Sequence, residues 1–425
     1  MDTVSIRTTL ENGTADDMLT ELYGADNLPR QRERYVGCTA RFSEQFGDRD
    51  AVLVSAPGRT ELGGNHTDHN HGKVLAAGIN LDAVACASPA DDMTVRLRSV
   101  DLGRTYTVDL SDLDVRDTEK ETTDALVRGM AAALHENGRR IGGFSAVVQS
   151  DVLPGSGLSS SASFEVVVGT LFNVLYNNGR IAPLEIAGAG QYAENTYFGK
   201  PCGLMDQAAC AYGGLIFVDF LDPEEPVIER VSCSFRDYGY VLVVVDTGGS
   251  HADLTDEYAA VPREMKAVAS FFGRSTLREL PEDEFLRNLK DVRAACGDRA
   301  VLRSLHFFRE NSRVEQMITA VEGGDIGRYL RLVNDSGRSS FTYLQNVYAH
   351  GKPDEQPLSV ALALTERFLD GDGASRIQGG GFAGTIEAYI PLGRVNEYAA
   401  FMESAFMEGC VTQIGIRQHG AVRVL

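Results

Sequence analysis

A glycine- and serine-rich turn between a strand and a helix constrains this chain more than any other feature. Residues 144–152 have the apolar, β-rich pattern of a strand, residues 153–157 read LPGSG, and residues 164–175 have helical character. The turn ends in four serines, Ser159, Ser160, Ser161 and Ser163. Because a helix N-terminus exposes free N–H groups and a positive dipole end, this order predicts a phosphate-binding segment.

A simpler interpretation of this segment is that one serine caps the helix. A single cap accounts for one serine, but not for the glycine turn and the serine run together. Serine hydroxyls would also add hydrogen-bond donors and a magnesium ligand. The Walker-type GxxxxGK[ST] motif is absent from the chain, as are the signatures of protein kinases.

A second polar, glycine-rich segment spans residues 57–72, PGRTELGGNHTDHNHG. Glycines let the backbone approach a ligand closely, and adjacent Asp, Asn and His side chains can bind the hydroxyls of a sugar. A rival interpretation makes Asp68 and the histidines at 66, 69 and 71 metal ligands. The HExxH helix pattern is absent, however, and Gly63-Gly64 argues against a preceding helix. A purely structural loop is a further alternative.

The third segment, residues 378–384, reads QGGGFAG and contains a GxGxxG match. The match is weak, because the segment precedes a strand pattern at 385–390 rather than a helix. A tight turn is the simpler interpretation.

Elsewhere the pattern indicates a chain of two parts. Residues 51–56 form a strand candidate that stops at Pro57-Gly58, and both halves of the chain mix helix and strand patterns. The stretch with the weakest regular pattern is 222–236. It places a domain boundary that separates residues 1–221 from residues 222–425.

The amino-acid composition indicates which cellular compartment and which classes of binding partner to expect. The net charge is −20, from 60 acidic and 40 basic residues, and an acidic surface repels nucleic acid. The seven cysteines include no CxxC pair, which is typical of a reducing compartment. Without a signal-peptide pattern or an apolar run of membrane length, a cytoplasmic protein with no membrane partner is expected. A monomer is expected too, although no sequence feature decides the oligomeric state.

The three glycine-rich segments in this order resemble the GHMP kinases, and within them the galactokinases. Residues 58–72 resemble the galactokinase signature, residues 157–163 the family's phosphate segment, and residues 201–207, PCGLMDQ, a further galactokinase block. The resemblance runs from about residue 42 to the C-terminus. It implies two α/β (α+β) domains, the N-terminal and C-terminal GHMP kinase domains, with the active site in the cleft between them.

The resemblance also implies roles for particular residues. Asp206 would be the catalytic aspartate near the sugar C1 hydroxyl, and Arg59 would stabilise charge on the transferring phosphoryl group. Ser161 and Glu194 would hold Mg²⁺. The segment that binds the phosphates of ATP would be Gly155, Ser156, Gly157, Leu158, Ser159, Ser160 and Ser161. The sugar contacts would be Glu61, Asn65, His66, Asp68, Gly203 and Tyr258.

Three positions depart from the family pattern: Glu61 replaces Asn, Asn65 replaces a Glu used near the sugar C6 hydroxyl, and His69 replaces Tyr. The implied reaction is Mg²⁺- and ATP-dependent phosphorylation of galactose to galactose 1-phosphate. The departures leave N-acetylgalactosamine, fucose or arabinose as alternative substrates. A non-catalytic sugar sensor is another alternative, but the retained Ser161-Ala162 favours catalysis. The block at 201–207 speaks against a GHMP kinase with a non-sugar substrate.

Each central residue also has a structural interpretation. Asp206 could cap a helix, Glu194 could be a solvated helix residue, and Tyr258 could belong to the core. An unperturbed Asp has a pKa of about 3.9 and is a poor base for a sugar hydroxyl. Burial would raise the pKa of Asp206 and Arg59 would lower it, so the sequence leaves open whether this carboxylate is a base or mainly orients the hydroxyl.

Overall fold

The computed structural model describes residues 1–152, 157–249 and 254–425, which form a mixed α/β protein with two sheets. This confirms the expected fold class. The strands are β1 (Val52–Gly63), β2 (Lys73–Pro89), β3 (Thr94–Ser99), β4 (Arg104–Asp109), β5 (Phe144–Ser150), β6 (Leu215–Asp219), β7 (Val227–Val231), β8 (Tyr240–Asp246), β9 (Ala374–Ile377), β10 (Thr385–Pro391), β11 (Val411–Ile414) and β12 (Val422–Arg423).

Helices cover more of the described chain than strands do. They are α1 (Thr3–Glu11), α2 (Asp16–Tyr23), α3 (Leu28–Phe46), α4 (Thr123–Glu136), α5 (Ser160–Tyr176), α6 (Pro183–Tyr192), α7 (Met205–Tyr212), α8 (Thr255–Phe271), α9 (Glu282–Arg287), α10 (Leu289–Cys296), α11 (Asp298–Glu322), α12 (Ile326–Ser339), α13 (Pro357–Leu369) and α14 (Val395–Glu403). A π-helical turn, Ala193–Phe198, continues α6. None of the described helices has both the length and the apolar character needed to cross a membrane.

The first sheet has eight strands and the second has four. The order in the first is β12-β1-β2-β5-β3-β4, and β6 and β7 continue from the other end of β2. The second sheet has the order β11-β8-β10-β9. Strands β7 and β12 lie beyond residue 221 in the chain yet join the first sheet, so both parts of the sequence build it.

Strand β1 is longer than the sequence predicted. We expected it to end at Pro57-Gly58, but it continues to Gly63 with a register shift between Pro57 and Arg59. A proline is tolerated where no partner needs its N–H. The neighbour β12 pairs only with Val54 and Ser55, so Pro57 lies beyond its reach. As a result Arg59 and Glu61 lie on a strand rather than in a loop.

Three apolar clusters position the site. Helices α4 to α7 pack on one face of the first sheet, and the N-terminal helices α1 to α3 pack against its other face. A further cluster contains Leu62 of β1, Leu75 of β2 and Val244 of β8, together with Val314 and Met317 of α11. This cluster ties the two sheets together directly beside the end of β1 that carries the polar residues.

Candidate active site

The Arg59 guanidinium is paired with the Asp206 carboxylate. Its Nε and Nη2 donate to the two carboxylate oxygens at 2.6 and 2.8 Å, which is the bidentate geometry of a strong charged pair. Arg59 lies on β1 and Asp206 in the first turn of α7. The Arg59 side chain is buried, whereas the Asp206 side chain is 31% exposed. The pair is therefore open to solvent mainly at the carboxylate.

Competing effects set the charge of Asp206. Burial raises the pKa of this carboxyl, but the positive charge of Arg59 and the hydrogen bonds from Arg59 and Ser159 outweigh burial and hold the pKa below its usual value. Asp206 is therefore ionised at neutral pH. Since its conjugate acid is strong, a carboxylate of this kind orients a hydroxyl better than it removes the proton at the outset.

Ser159 stands at the N-terminus of α5 in a left-handed backbone conformation, with φ +58°. Its hydroxyl donates to Asp206 Oδ2 and makes no capping hydrogen bond with the helix. A non-glycine residue with positive φ costs about 1–3 kcal/mol. The serine thus adopts a strained conformation while its hydroxyl serves the carboxylate, which rules out the interpretation that it merely caps the helix.

The described part of the predicted phosphate segment begins at Gly157. The Gly157 carbonyl accepts a hydrogen bond from Arg59 Nη1 at 2.5 Å, and the Leu158 carbonyl accepts one from the Arg59 backbone N–H at 3.0 Å. A Cβ atom at Gly157 would lie 2.3 Å from Thr385 Oγ1 of the second sheet, so only glycine fits there. Two residues predicted to bind ATP, Gly155 and Ser156, lie outside the described residues.

The two predicted magnesium ligands lie near one another. The Ser161 hydroxyl is 3.4 Å from Glu194 Oε1, at the start of α5 and in the π-helical turn respectively. Glu194 is buried, which excludes the interpretation of a solvated helix residue. The ammonium group of Lys200, 65% exposed, lies 3.5 Å from the same Glu194 oxygen. A cation is therefore already accommodated beside this carboxylate. Ser160 lies in the same first turn of α5.

Behind Glu194 lie two buried residues that the sequence analysis did not single out. The Gln207 amide nitrogen donates to Glu194 Oε2 at 3.1 Å and to Glu165 Oε2 at 3.0 Å. Burial and the nearby Glu194 charge raise the pKa of Glu165 well above its usual value. A signal for both existed, because Glu165 directly follows the serine run and Gln207 ends the PCGLMDQ block.

Two predicted sugar contacts meet at the other side of α7. A Cβ atom at Gly203 would lie 1.8 Å from Asp68 Oδ2, so the backbone before α7 passes directly over this carboxylate. Asp68 Oδ1 accepts a hydrogen bond from the backbone N–H of His69 at 2.9 Å. Gly203 is three residues before Asp206, so the Asp68 carboxylate and the Arg59–Asp206 pair border the same helix N-terminus.

Side chains from the segment at 57–72 and from α8 hold the glycine-rich segment at 378–384. His66 Nε2 lies 2.9 Å from the Gly380 carbonyl, and the Tyr258 hydroxyl donates to the Gly381 carbonyl at 2.7 Å. Burial and His69 lower the pKa of His66 to about 3, so the ring is neutral. Tyr258 also packs edge-on against Phe382. Tyr258 therefore packs against the core residue Phe382 and also hydrogen-bonds the glycine-rich turn at 378–384.

Glu61 and Asn65, the two positions that depart from the family pattern, contact each other. Asn65 Nδ2 donates to Glu61 Oε1 at 3.0 Å and to the Gly379 carbonyl at 2.7 Å, while its Oδ1 accepts from Asn346 Nδ2 at 2.8 Å. Glu61 also binds the buried Arg376 of β9. Both side chains are buried and engaged within the protein. Their predicted contacts with a sugar stay predictions.

A second buried glutamate completes this cluster. Glu387 of β10 accepts a hydrogen bond from the Thr60 hydroxyl at 2.9 Å. Burial raises the pKa of Glu387 to about 8, although Arg376 acts in the opposite direction. Sequence reasoning missed Arg376 and Glu387, since neither lies in a motif. They link β1 of the first sheet to β9 and β10 of the second.

The rival interpretation of the histidine loop as a metal centre receives no support. Among residues 1–152, 157–249 and 254–425, no group of three His, Cys, Asp or Glu side chains is placed to hold a metal ion. His66 instead contacts the Gly380 carbonyl, and its ring stacks on His69 with centroids 5.8 Å apart. The loop is organised by hydrogen bonds to the protein.

Comparison with known protein families agrees with this arrangement. Residues 40–89 match the galactokinase galactose-binding signature, and residues 125–214 match the N-terminal domain of GHMP kinases. These ranges contain β1, the polar loop, the serine run and the Asp206 helix.

Individual relatives give the same result. The chain is 30% identical over 361 residues to a galactokinase of Actinobacillus pleuropneumoniae serotype 5b (strain L20), covering 84% of this chain and 90% of the relative. The structure of the present chain is similar to that of Lactococcus lactis galactokinase complexed with galactose, with a TM-score of 0.76 and 26% identity. The match covers 90% of this chain and 98% of the Lactococcus chain. The mevalonate kinase of Methanococcus jannaschii shares the fold, with a TM-score of 0.61, 12% identity and coverage of 86% and 98%.

Proposed function

Because this chain belongs to the galactokinase family of GHMP kinases, we propose that it transfers the γ-phosphoryl group of ATP to the anomeric C1 hydroxyl of galactose. The observation that carries the proposal is the Arg59–Asp206 pair, which is buried on the arginine side and open on the carboxylate side. ATP and the sugar are the two substrates, and galactose 1-phosphate and ADP are the products.

Asp206 has room for one further hydrogen bond. A carboxylate offers about four acceptor positions, and Arg59 uses two of them while Ser159 uses a third. The sugar C1 hydroxyl would donate to the remaining position. In the reaction a bond forms between the sugar oxygen and the γ-phosphorus, and the bond to the ADP oxygen breaks. The hydroxyl proton passes to Asp206 late, since the lowered pKa makes this carboxylate a weak base.

Arg59 would stabilise the charge that moves with the phosphoryl group. A guanidinium has five N–H groups, and three of them are used by Asp206 and the Gly157 carbonyl. Two remain for phosphate oxygens. Phosphoryl transfer depends mainly on positioning and charge stabilisation, and one such electrostatic donor contributes about 2.7–4 kcal/mol.

Ser161 and Glu194 fit the Mg²⁺ that such a reaction requires. Both present oxygen atoms, which are the ligands Mg²⁺ prefers, and Mg²⁺ is commonly held by one or two protein ligands together with phosphates and water. The buried Glu194 already has the Lys200 ammonium beside it, so this position accepts positive charge. When bound, Mg²⁺ would neutralise charge on the phosphates of ATP.

The sugar itself would lie between Asp206 and Asp68, with Gly203, His66 and Tyr258 around it. Asp68 Oδ2 lies close to the Gly203 backbone, so a sugar hydroxyl that contacted Asp68 would also lie beside this backbone. Glu61 and Asn65 bear on the substrate differently. Glu61 is paired with Arg376, and Asn65, which replaces a Glu of the family pattern, is uncharged and bonded to protein groups. The charge of this region therefore differs from that of the family pattern. This observation keeps a related sugar, such as fucose or arabinose, as the second candidate.

A coupled assay of ADP release with Mg-ATP tests the proposal. The panel contains galactose, 2-deoxygalactose, N-acetylgalactosamine, fucose, arabinose and glucose. We expect the highest kcat/KM with galactose. A preference for fucose or arabinose would mean that Asn65 changes recognition at C6, and turnover with none of the sugars would favour a sensor instead of an enzyme.

A further inference from the structure

Glu194 is held from behind by a pair of buried side chains. Gln207 and Glu165 are both fully buried, and the Gln207 amide nitrogen donates to Oε2 of each glutamate. An amide NH₂ has only two hydrogen atoms, so both are used by the carboxylates. Glu194 Oε2 is thereby fixed, and Oε1 is the oxygen that remains next to the Ser161 hydroxyl.

The packing around this pair leaves space only because α6 has a glycine at position 190. A Cβ atom there would lie 2.9 Å from Gln207 Cγ and 3.0 Å from Glu165 Oε2. Glycine inside a helix costs about 0.5–1 kcal/mol relative to alanine. Gly190 therefore lowers the stability of α6 slightly but makes room for the contact between Gln207 and Glu165.

Stability alone does not account for Glu165. A second buried carboxyl group next to Glu194 is costly, and its Oε1 has no hydrogen-bond partner among the described residues. An apolar side chain of similar volume would commonly be at least as stable. Within the described chain, the Glu165 side chain has one hydrogen bond, which it accepts from Gln207. Gln207 adjoins Asp206 in the first turn of α7.

We propose that Glu165, acting through Gln207, is a positioning residue that holds Glu194 ready to bind the divalent cation. This inference rests on the proposed function, since it takes Glu194 as a metal ligand. Glu165 fixes the amide, the amide fixes one oxygen of Glu194, and the other oxygen meets the cation beside Ser161. The same helical turn carries Asp206, so the metal and sugar sides of the site share one anchor.

Mn²⁺ binding in the presence of ADP, followed by electron paramagnetic resonance, tests this role. Glu165→Ala should weaken Mn²⁺ binding by about 10–100-fold, the usual effect of losing a group behind a metal ligand. Glu165→Gln keeps an acceptor oxygen for Gln207 and should bind Mn²⁺ nearly as the wild type does. Thr170→Val is the matched control, because Thr170 is buried on the same helix and its hydroxyl donates to the Val166 carbonyl.

Gln207→Met provides a second variant, in case Glu165→Ala does not fold. It has a similar size but no N–H group, so it should lose Mn²⁺ affinity to a similar extent. A folded Glu165→Ala or Gln207→Met protein with wild-type Mn²⁺ affinity would overturn the proposal. So would Glu165→Gln if it lost as much affinity as Glu165→Ala.

The sugar assay separates this inference from the proposed function. Wild-type protein that releases ADP with galactose, while Glu165→Ala binds Mn²⁺ normally, would retain the function and overturn the role of Glu165. Wild-type protein that binds no Mn²⁺ with ADP would overturn the metal assignment and the inference together. In that case galactose-dependent turnover still reports separately on the reaction.

Discussion

Two carboxylates in this protein, Asp82 and Asp206, have similar partners and different surroundings. Each accepts hydrogen bonds from arginine and from a hydroxyl group. Around Asp82 the donors are Arg34, Arg417, Tyr23 and Ser55. Around Asp206 they are Arg59 and Ser159. Asp82 is wholly buried, whereas Asp206 is 31% exposed.

The donors of Asp82 come from distant parts of the chain. Tyr23 ends α2, Arg34 lies in α3, Ser55 in β1 and Arg417 near the C-terminus. They make one hydrogen bond each to the carboxylate, three of them at Oδ2 and one at Oδ1. Asp82 therefore joins the N-terminal helices and the C-terminal segment to the first sheet.

Solvent exposure of the carboxylate, and not its pairing with arginine, distinguishes the candidate active site. In both cases burial raises the carboxyl pKa, and the arginines outweigh it so that the pKa is lowered. The two carboxylates are thus both ionised. Asp82 is wholly buried and accepts four hydrogen bonds from the protein, whereas Asp206 accepts three and is partly exposed to solvent. We expect substitutions to affect stability at Asp82 and turnover at Asp206.

The largest expected effect is on turnover. Asp206→Asn should lower kcat for galactose by about 10²–10⁴-fold, the range for losing a group that exchanges a proton with the substrate. The amide keeps the shape of the side chain but is neutral and cannot accept the proton. The measurement is ADP release, with thermal unfolding as the control. Near-normal turnover by folded Asp206→Asn protein would remove Asp206 from the mechanism.

The next effect is on stability. Asp82→Asn should lower the free energy of unfolding by about 3–5 kcal/mol, because it removes the wholly buried negative charge that Arg34 and Arg417 share. Urea titration measures the change. The KM for galactose should stay close to that of the wild type under conditions where the variant is folded. A stable Asp82→Asn protein with impaired turnover would reverse the comparison.

A smaller effect is expected at Gly203, where the backbone before α7 passes over Asp68. Gly203→Ala places a methyl group 1.8 Å from Asp68 Oδ2 unless the backbone moves. Such overpacking typically costs about 1–3 kcal/mol. We expect the displacement of Asp68 to cost a similar free energy in binding galactose, which lowers kcat/KM by roughly 5–150-fold. Gly188→Ala on α6 is the control, since its Cβ would meet nothing within 4 Å. Equal activity of the two variants would show that Asp68 tolerates the displacement.

The smallest expected effect, taken over one pH unit, concerns Glu387, a carboxyl group whose pKa burial raises despite the nearby Arg376. Its pKa is raised from 4.5 to about 8, so the folded protein holds a proton that the unfolded chain releases. The associated stability is fully present below about pH 4.5 and is lost as the pH rises towards 8. Glu387→Gln should flatten this decline by roughly 1 kcal/mol per pH unit.

Urea titrations of wild-type and Glu387→Gln protein at several pH values check this prediction. The difference between the two proteins isolates Glu387 from other groups that titrate. Parallel stability curves for the two would show that Glu387 is ionised in the folded protein, as Asp82 and Asp206 are.

Motifs that lie within one stretch of sequence predicted much of the site. The serine run and the PCGLMDQ block identified Ser159, Ser161 and Asp206, and the structure brings Arg59 and Ser159 to Asp206. Neighbouring residues can be recognised in this way because local order alone creates a helix N-terminus with free N–H groups.

Residues whose roles depend on distant partners were missed. Arg376 binds Glu61 across 315 positions of the chain, and Gln207 binds Glu165 across 42. No periodic pattern encodes such contacts. The predicted strand β1 was too short for a similar reason, since pairing with β2 overrides the local turn preference of Pro57-Gly58. Several helices of the second half, α9, α10, α13 and α14, were not predicted either.

The most direct test of this account is to identify the product made from galactose and Mg-ATP. Proton-coupled ³¹P NMR of the purified sugar phosphate shows which carbon carries the phosphate. The proposed function predicts a phosphate coupled to the anomeric proton, as in galactose 1-phosphate. A phosphate coupled to the C6 methylene protons, or the absence of any sugar phosphate, would contradict it.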